Sequence, residues 1–109
     1  MEYIRIVESV FEIIAEPNRR AILSLLVSSQ QSVGEIERQL RMPQPTVSKH
    51  LRVLRDTGFV SCRTAAQQRI YRIEPGAMRS AYEWLAPYRH LWAHHLDALE
   101  RHLDQQEQA

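Results

Sequence analysis

The sequence predicts a mainly α-helical fold with one small two-stranded antiparallel hairpin. Apolar residues recur at helical spacing through most of the chain, while residues 59–63 and 69–73 form two short β-prone stretches joined by a polar segment. The length of 109 residues suits one domain, and an apolar fraction of 44% with 25% charged residues is ordinary for a globular protein. We therefore expect a single domain over residues 1–109.

Two helices are predicted at the start of the chain. The first covers residues 2–15 and presents one apolar face, which another apolar surface must cover. Its face consists of Ile4, Val7, Phe11 and Ile14. The second helix begins at Pro17, because proline is well tolerated in a first turn, and residues 28–31 are expected to form a loop.

A helix-turn-helix is predicted over residues 32–57. Ser32 and Glu35 have the spacing of a capping box, which starts a short helix that ends near Leu40. Residues 41–43 form the turn, and a second helix runs to about Asp56, before Gly58. The inward stripe of this second helix is Val47, Leu51 and Leu54. Two helices joined by a tight turn, the second amphipathic, are typical of this motif.

The hairpin over residues 59–73 must rest on the helices, because two strands are not stable alone. A helix from residue 76 to about Ala86 follows, and Pro87 is expected to break or kink it. The last helix is predicted over residues 88–104, with residues 105–109 frayed. Its heptad-like apolar positions are Trp92, Leu96, Leu99 and Leu103.

Charge is unevenly distributed, although the net charge is only +1. Residues 41–72 carry seven basic side chains and one acidic one, whereas residues 1–40 carry four and six, and residues 73–109 carry three and six. A basic block between two acidic flanks indicates one phosphate-facing surface.

The second helix of the helix-turn-helix fits the major groove of DNA, and its outer side chains suit base reading. Gln44 can pair with adenine, Ser48 can bond several base edges, and Lys49 can reach guanine or phosphate. In the hairpin, Arg69 is favoured over Arg63 and Arg72 as a phosphate contact. The predicted DNA-binding residues are Gln44, Pro45, Thr46, Ser48, Lys49, Arg52, Arg63 and Arg69. His50 either contacts DNA or caps a neighbouring loop.

Four stretches of the chain resemble the ArsR family of bacterial winged-helix repressors. They are residues 16–23 (EPNRRAIL), 32–36 (SVGEI), 44–60 (QPTVSKHLRVLRDTGFV) and 70–73 (IYRI). The resemblance implies a winged helix-turn-helix with dimerisation helices at residues 1–15 and 76–104 and a wing at residues 59–73. It also implies a homodimer with one recognition helix in each major groove, and repression that a signal releases. The predicted dimer interface is Ile4, Val7, Phe11, Ile14, Trp92, Leu96, Leu99 and Leu103.

The sequence departs from the metal-sensing members of that family. Those members carry a cysteine pair on the helix before the recognition helix, but residues 33–40 contain none. The last helix offers His90, His94, His95 and His102, whose spacing does not match the family's zinc site. We expect no metal and no cofactor. A metal-responsive repressor that uses these histidines is one alternative, and a winged-helix protein-interaction module without salt-dependent DNA affinity is another.

Other function classes find no support in the sequence. There is no glycine-rich phosphate loop, nucleophile elbow or H-E-x-x-H motif, so we expect no enzyme. No apolar run is long enough for a membrane span, the N-terminus lacks signal-peptide features, and the single cysteine excludes an intrachain disulfide. The prediction is a cytoplasmic, homodimeric repressor of an inverted-repeat operator in double-stranded DNA, with an unspecified inducer.

Overall fold

The computed structural model describes residues 2–108, and the side chains of residue 5 and residues 7–107. The helices are α1 (Glu2–Ala15), α2 (Pro17–Ser28), α3 (Val33–Leu40), α4 (Gln44–Asp56) and α5 (Arg79–Gln108). The strands are β1 (Gln31–Ser32), β2 (Val60–Ala65) and β3 (Gln68–Ile73), and a 3₁₀ turn covers Pro75–Met78. The predicted mainly helical winged helix-turn-helix is confirmed.

The core lies where α2, α3 and α4 meet the sheet. Its largest deeply buried side chains come from these three helices, and Phe59 and Tyr71 close it from the wing. The five largest that are almost inaccessible are Ile22, Ile36, Val47, Leu51 and Leu54. The inward stripe predicted for α4 is therefore confirmed, and its opposite side is left free to face outward.

The sheet has three strands, so the predicted strand count of two was wrong. Gln31 and Ser32 pair antiparallel with Tyr71 and Ile70, which gives the order β1-β3-β2. A strand of only two polar residues has no alternation of apolar and polar side chains from which it could be predicted. This short pairing fixes the start of α3 on the wing.

Helix α5 is continuous through Pro87, so of the predicted break or kink the break was wrong. Proline removes one backbone hydrogen bond, but a helix of 30 residues retains the rest of its ladder on both sides. Side chains also bridge the proline: the Arg89 guanidinium lies 3.7 Å from the centre of the Tyr82 ring, and the Trp84 and Tyr88 rings lie 5.1 Å apart. Residues 105–108, predicted to fray, belong to the helix.

Arginines hold the junction between α1 and α2. The Glu16 carboxylate accepts the backbone N–H of Arg19 at 2.8 Å and so caps α2. The Arg19 Nε donates to the Ile13 carbonyl at 2.8 Å, and Arg20 donates to the carbonyls of Ile14 and Ala15. These bonds satisfy carbonyls that the end of α1 leaves unpaired.

The wing turn is tighter than predicted, because β2 and β3 both extend into the expected loop of residues 64–68. Only Ala66 and Gln67 remain between the strands, with φ of 50° and 68°. Positive φ at both central residues is the signature of a type I′ turn, which favours Asn-Gly. Side chains with a Cβ are strained in this region.

Replacing this pair with Asn-Gly (Ala66→Asn with Gln67→Gly) is expected to raise the free energy of unfolding by about 1 kcal/mol, because it relieves that strain. Thermal and urea denaturation at a fixed protein concentration measure the change. Gln68→Gly is the matched control, since Gln68 lies in a strand opposite Ala65 and glycine weakens strands there. An Asn-Gly variant no more stable than the wild type would contradict the assignment of strain to this turn.

Candidate nucleic-acid interface

The turn between α3 and α4 is shaped by local bonds. Ser32 and Glu35 form the predicted capping box: Glu35 N–H donates to Ser32 Oγ at 3.2 Å, and Ser32 N–H donates to the Glu35 carboxylate at 2.9 Å. These bonds with Ser32 hold the pKa of Glu35 below its usual value. At the other end Arg41 takes a left-handed conformation, with φ of 54°, and stops α3. The chain then re-enters a helix at Gln44.

Between α4 and the wing lies a groove of about 880 Å³, which we call the recognition groove. Helix α4 supplies most of its walls, strand β3 supplies one side, and Val33 lies at the edge. Its lining comprises Val33, Gln44, Pro45, Ser48, Lys49, Arg52, Arg55, Asp56, Arg69 and Tyr71. Four basic side chains face one carboxylate there, so the groove attracts polyanions.

The structure brings six predicted DNA-binding residues into this groove: Gln44, Pro45, Ser48, Lys49, Arg52 and Arg69. Gln44 Nε2 donates to Ser48 Oγ at 3.1 Å, which holds two prospective base readers together on the exposed face. Among the described residues, Lys49, Arg52 and Arg69 have no ion-pair partner. Their charges are therefore available to an external anion.

Two predicted DNA-binding residues lie elsewhere. Thr46 is half-buried, and its backbone N–H donates to the Pro43 carbonyl at 3.0 Å. Arg63 pairs with Ile70, one residue out of step with Arg69 and Tyr71, so it lies on the opposite face of the wing. There it donates to the side chain of Gln30 at 3.2 Å. The prediction that Arg63 joins the interface therefore lacks geometric support.

Arg55 and Tyr71 also line the groove, although neither is among the predicted DNA-binding residues; for Arg55 the sequence allows a phosphate contact or a surface ion pair. Arg55 lies one turn beyond Arg52 on the outer face of α4, so helical spacing alone was a sufficient signal. Tyr71 is buried and forms part of the groove wall, as strand alternation with Arg69 requires. Arg72 lies on the other face of the wing, where it bonds Ser61 and Glu74. The hydrogen bond from Ser61 Oγ and the nearby charge of Arg72 lower the pKa of Glu74, and together they outweigh burial, which raises it.

His50 is not available to DNA. It is buried on the inner face of α4, and its Nε2 lies 3.7 Å from a carboxylate oxygen of Glu16. Burial raises the pKa of Glu16, but the Arg19 N–H and the charges of His50 and Arg19 outweigh it and lower the pKa. Of the two roles left open for His50, direct DNA contact is excluded by this burial.

The residues predicted for a dimer interface divide into two sets. Val7 is only 5% exposed within the single chain, Phe11 packs edge-on against Trp84, and Ile14 is half-buried against the core. Ile4 lies outside the residues whose side chains are described. By contrast, the α5 residues are exposed, and we call them the apolar seam: Trp92 (61%), Leu96 (45%), Leu99 (48%) and Leu103 (51%).

Comparisons with known proteins agree with this architecture. The sequence model of the bacterial regulatory protein, arsR family, matches residues 16–61, which include the α1–α2 junction and the whole helix-turn-helix. The solved structure of reduced HlyU from Vibrio cholerae N16961 has a TM-score of 0.66 and 30% identity, and the match covers 81% of this chain and 94% of HlyU. The chain belongs to the ArsR family.

Two curated regulators are similar in sequence to this ArsR-family chain. The HTH-type transcriptional regulator Rv2034 of Mycobacterium tuberculosis is 37% identical over 60% of this chain and 61% of its own length. The biofilm growth-associated repressor of Xylella fastidiosa is 37% identical over 62% of this chain and 59% of its own length. The chain thus spans about three fifths of the curated relatives it first matches.

The family is one of transcriptional regulators rather than enzymes, and its members bind DNA and are typically dimeric. In this ArsR-family chain, none of the helices described is long and apolar enough to cross a membrane. Within the same residues no group of three or more His, Cys, Asp or Glu side chains could hold a metal ion.

Proposed function

We propose that this chain regulates transcription by placing α4 in the major groove of double-stranded DNA. The recognition groove carries the proposal, because it joins polar side chains suited to base edges with unpaired cations suited to phosphates. Gln44 and Ser48 lie near the start of α4, the end of a recognition helix that usually reads bases. Arg69 extends the same surface from the wing to the neighbouring backbone.

The proposed active form is a homodimer joined through α5. The described large apolar side chains that remain exposed are concentrated on α5, and a contiguous exposed apolar surface marks an interaction site. A two-fold dimer places two recognition helices about 34–36 Å apart, so its operator is an inverted repeat with half-sites one helical turn apart. Like the Xylella relative, which is named a repressor, this chain would repress by occupying its operator.

An inducer, where one acts, must bind the DNA-competent and DNA-incompetent dimers unequally, because equal affinity shifts no equilibrium.

Selection of genomic fragments from the source organism by the purified protein tests the proposal. We expect enrichment of an inverted repeat and an affinity that falls steeply with salt. A protein with no preference for any duplex, even in dilute buffer, would show that the recognition groove does not serve DNA and would favour a protein-interaction module.

Gln44→Ala is expected to relax the preference at one base position of each half-site, at a cost of about 1–3 kcal/mol, because a bidentate contact to adenine is lost. Repeating the fragment selection with the variant measures this. Thr46→Ser is the matched control from the same turn of α4, and we expect an unchanged motif because Thr46 does not line the groove. An unchanged motif for Gln44→Ala would contradict base reading by this residue.

A further inference from the structure

His50 is a buried polar residue on the helix proposed to read DNA. It is 6% exposed, on the same inner face as Val47, Leu51 and Leu54. Its Nδ1 is buried without a hydrogen-bond partner in the part of the chain that the structure describes. Its Nε2 lies 3.7 Å from Glu16 Oε2, which is too long for a hydrogen bond but close enough for a charge interaction.

This arrangement is poor for stability. An unsatisfied buried nitrogen costs free energy, and an apolar side chain of similar size would fill the same space without that cost. A buried polar group of this kind therefore needs a reason other than core packing.

The contact joins α4 to the junction of two other helices. Glu16 is fixed because its carboxylate accepts the Arg19 N–H at 2.8 Å. Arg19 in turn donates from Nε to the Ile13 carbonyl of α1, and α1 packs against α5 through Phe11 and Trp84. His50 thus contacts the α1–α2 junction on one side of α4. Its neighbours along the helix, Ser48 and Lys49, line the recognition groove.

We propose that His50 is a positioning residue for DNA recognition. Its contact with Glu16 fixes the rotation of α4 about its own axis, so that Ser48 and Lys49 face the DNA. Since Glu16 and Arg19 also hold the end of α1, the same contact connects the recognition helix with the helices that pack towards the proposed dimer seam. This role rests on the proposed function.

His50→Leu and His50→Gln separate positioning from stability. Leucine removes the unpaired nitrogen and keeps the packing, so we expect unfolding free energy equal to or above that of the wild type. DNA affinity is expected to fall about three- to thirtyfold, the range for residues that modulate a site without touching its ligand. Glutamine carries no charge, but its side-chain N–H can replace the charge interaction by donating a hydrogen bond to the Glu16 carboxylate, and we expect an affinity within about threefold of the wild type. Denaturation and titration of the selected duplex are the two measurements.

Glu16→Gln tests the other partner, because its side-chain oxygen still accepts the Arg19 N–H but the charge is gone. We expect a loss of affinity like that of His50→Leu, and no further loss when the two are combined. Thr57→Val is the matched control at the C-cap of α4: it removes the hydroxyl bond to the Val53 carbonyl, outside the groove, and should leave affinity unchanged.

The positioning role is overturned if the His50→Leu variant binds DNA with wild-type affinity. It is also overturned if His50→Gln and His50→Leu lose the same amount of DNA affinity. If His50→Leu does not fold, Glu16→Gln decides, and unchanged affinity for that variant overturns the role. A wild-type protein that binds no duplex refutes the proposed function and this role together. Tight wild-type binding with unaffected variants refutes this role alone.

Discussion

The double variant Lys49→Ala with Arg69→Ala is expected to lose at least a factor of about one hundred in affinity for every duplex. Lys49 projects from α4 and Arg69 from β3, on two sides of the recognition groove, and neither pairs with a described residue. Each charge-assisted bond to phosphate is worth about 1.5–3 kcal/mol, and two together account for a loss of that size. Because phosphate contacts carry no sequence information, the preferred motif should not change.

The salt dependence of DNA affinity tests the same double variant more sharply than affinity at one salt concentration. Each neutralised phosphate contributes about 0.9 to the slope of log affinity against log salt. The double variant removes two such contacts from each protomer of the proposed dimer, so it should flatten the slope by about 3.6. Fluorescence anisotropy with the selected duplex at a series of salt concentrations measures both quantities.

The matched control for charge is Arg63→Ala with Arg72→Ala. It removes two cations from the opposite face of the wing, so the net charge changes equally while the recognition groove is untouched. We expect a change in affinity of less than about threefold and a nearly unchanged slope, because contacts are local and distant surface charges are screened. Equal losses in the two double variants would place the DNA on another surface of the molecule.

The helix ends in the central part of the chain were predictable because their signals are local. Ser32 and Glu35 cap α3 within one turn, Pro17 opens α2, and Gly58, with φ of 82°, follows the end of α4. The outward face of α4 was predictable as well, since its apolar stripe determines which side chains remain outside.

Features that depend on distant partners were not predictable. Strand β1 exists only because β3 lies beside it, and the burial of His50 depends on Glu16, which lies in another helix. The sequence placed both Arg63 and Arg69 at the DNA, whereas the observed two-residue turn pairs Arg63 with Ile70 and so puts Arg63 and Arg69 on opposite faces of the wing. At Pro87 the local rule failed, because helix on both sides and contacts across the proline outweighed one lost hydrogen bond.

Replacing Leu96 and Leu99 with glutamate is expected to convert the protein to a monomer at micromolar concentration. Both lie in the apolar seam and are about half exposed in the single chain, so the substitutions do not disturb the core of the protomer. Glutamate and leucine have similar helix propensities, so α5 should persist. In a dimer, however, four unpaired carboxylates would become buried in the seam, at a cost of several kcal/mol.

Loss of the dimer has a predictable consequence for DNA binding. The second half-site contact in a dimer is intramolecular, which raises affinity by about 10²–10⁴ over one half-site. We therefore expect the variant to lose at least a factor of about one hundred on the full inverted repeat, while its affinity for a duplex with one half-site stays unchanged. Analytical ultracentrifugation and titrations of the two duplexes provide the measurements.

Val27→Glu is the matched control for the seam, because Val27 is 72% exposed and apolar but belongs to α2. We expect this variant to remain dimeric and to bind the full operator like the wild type. A Leu96→Glu, Leu99→Glu protein that sediments as a dimer would show that α5 does not join the protomers. The exposed apolar residues of α5 would then need another partner, and the two-fold operator geometry would lose its structural basis.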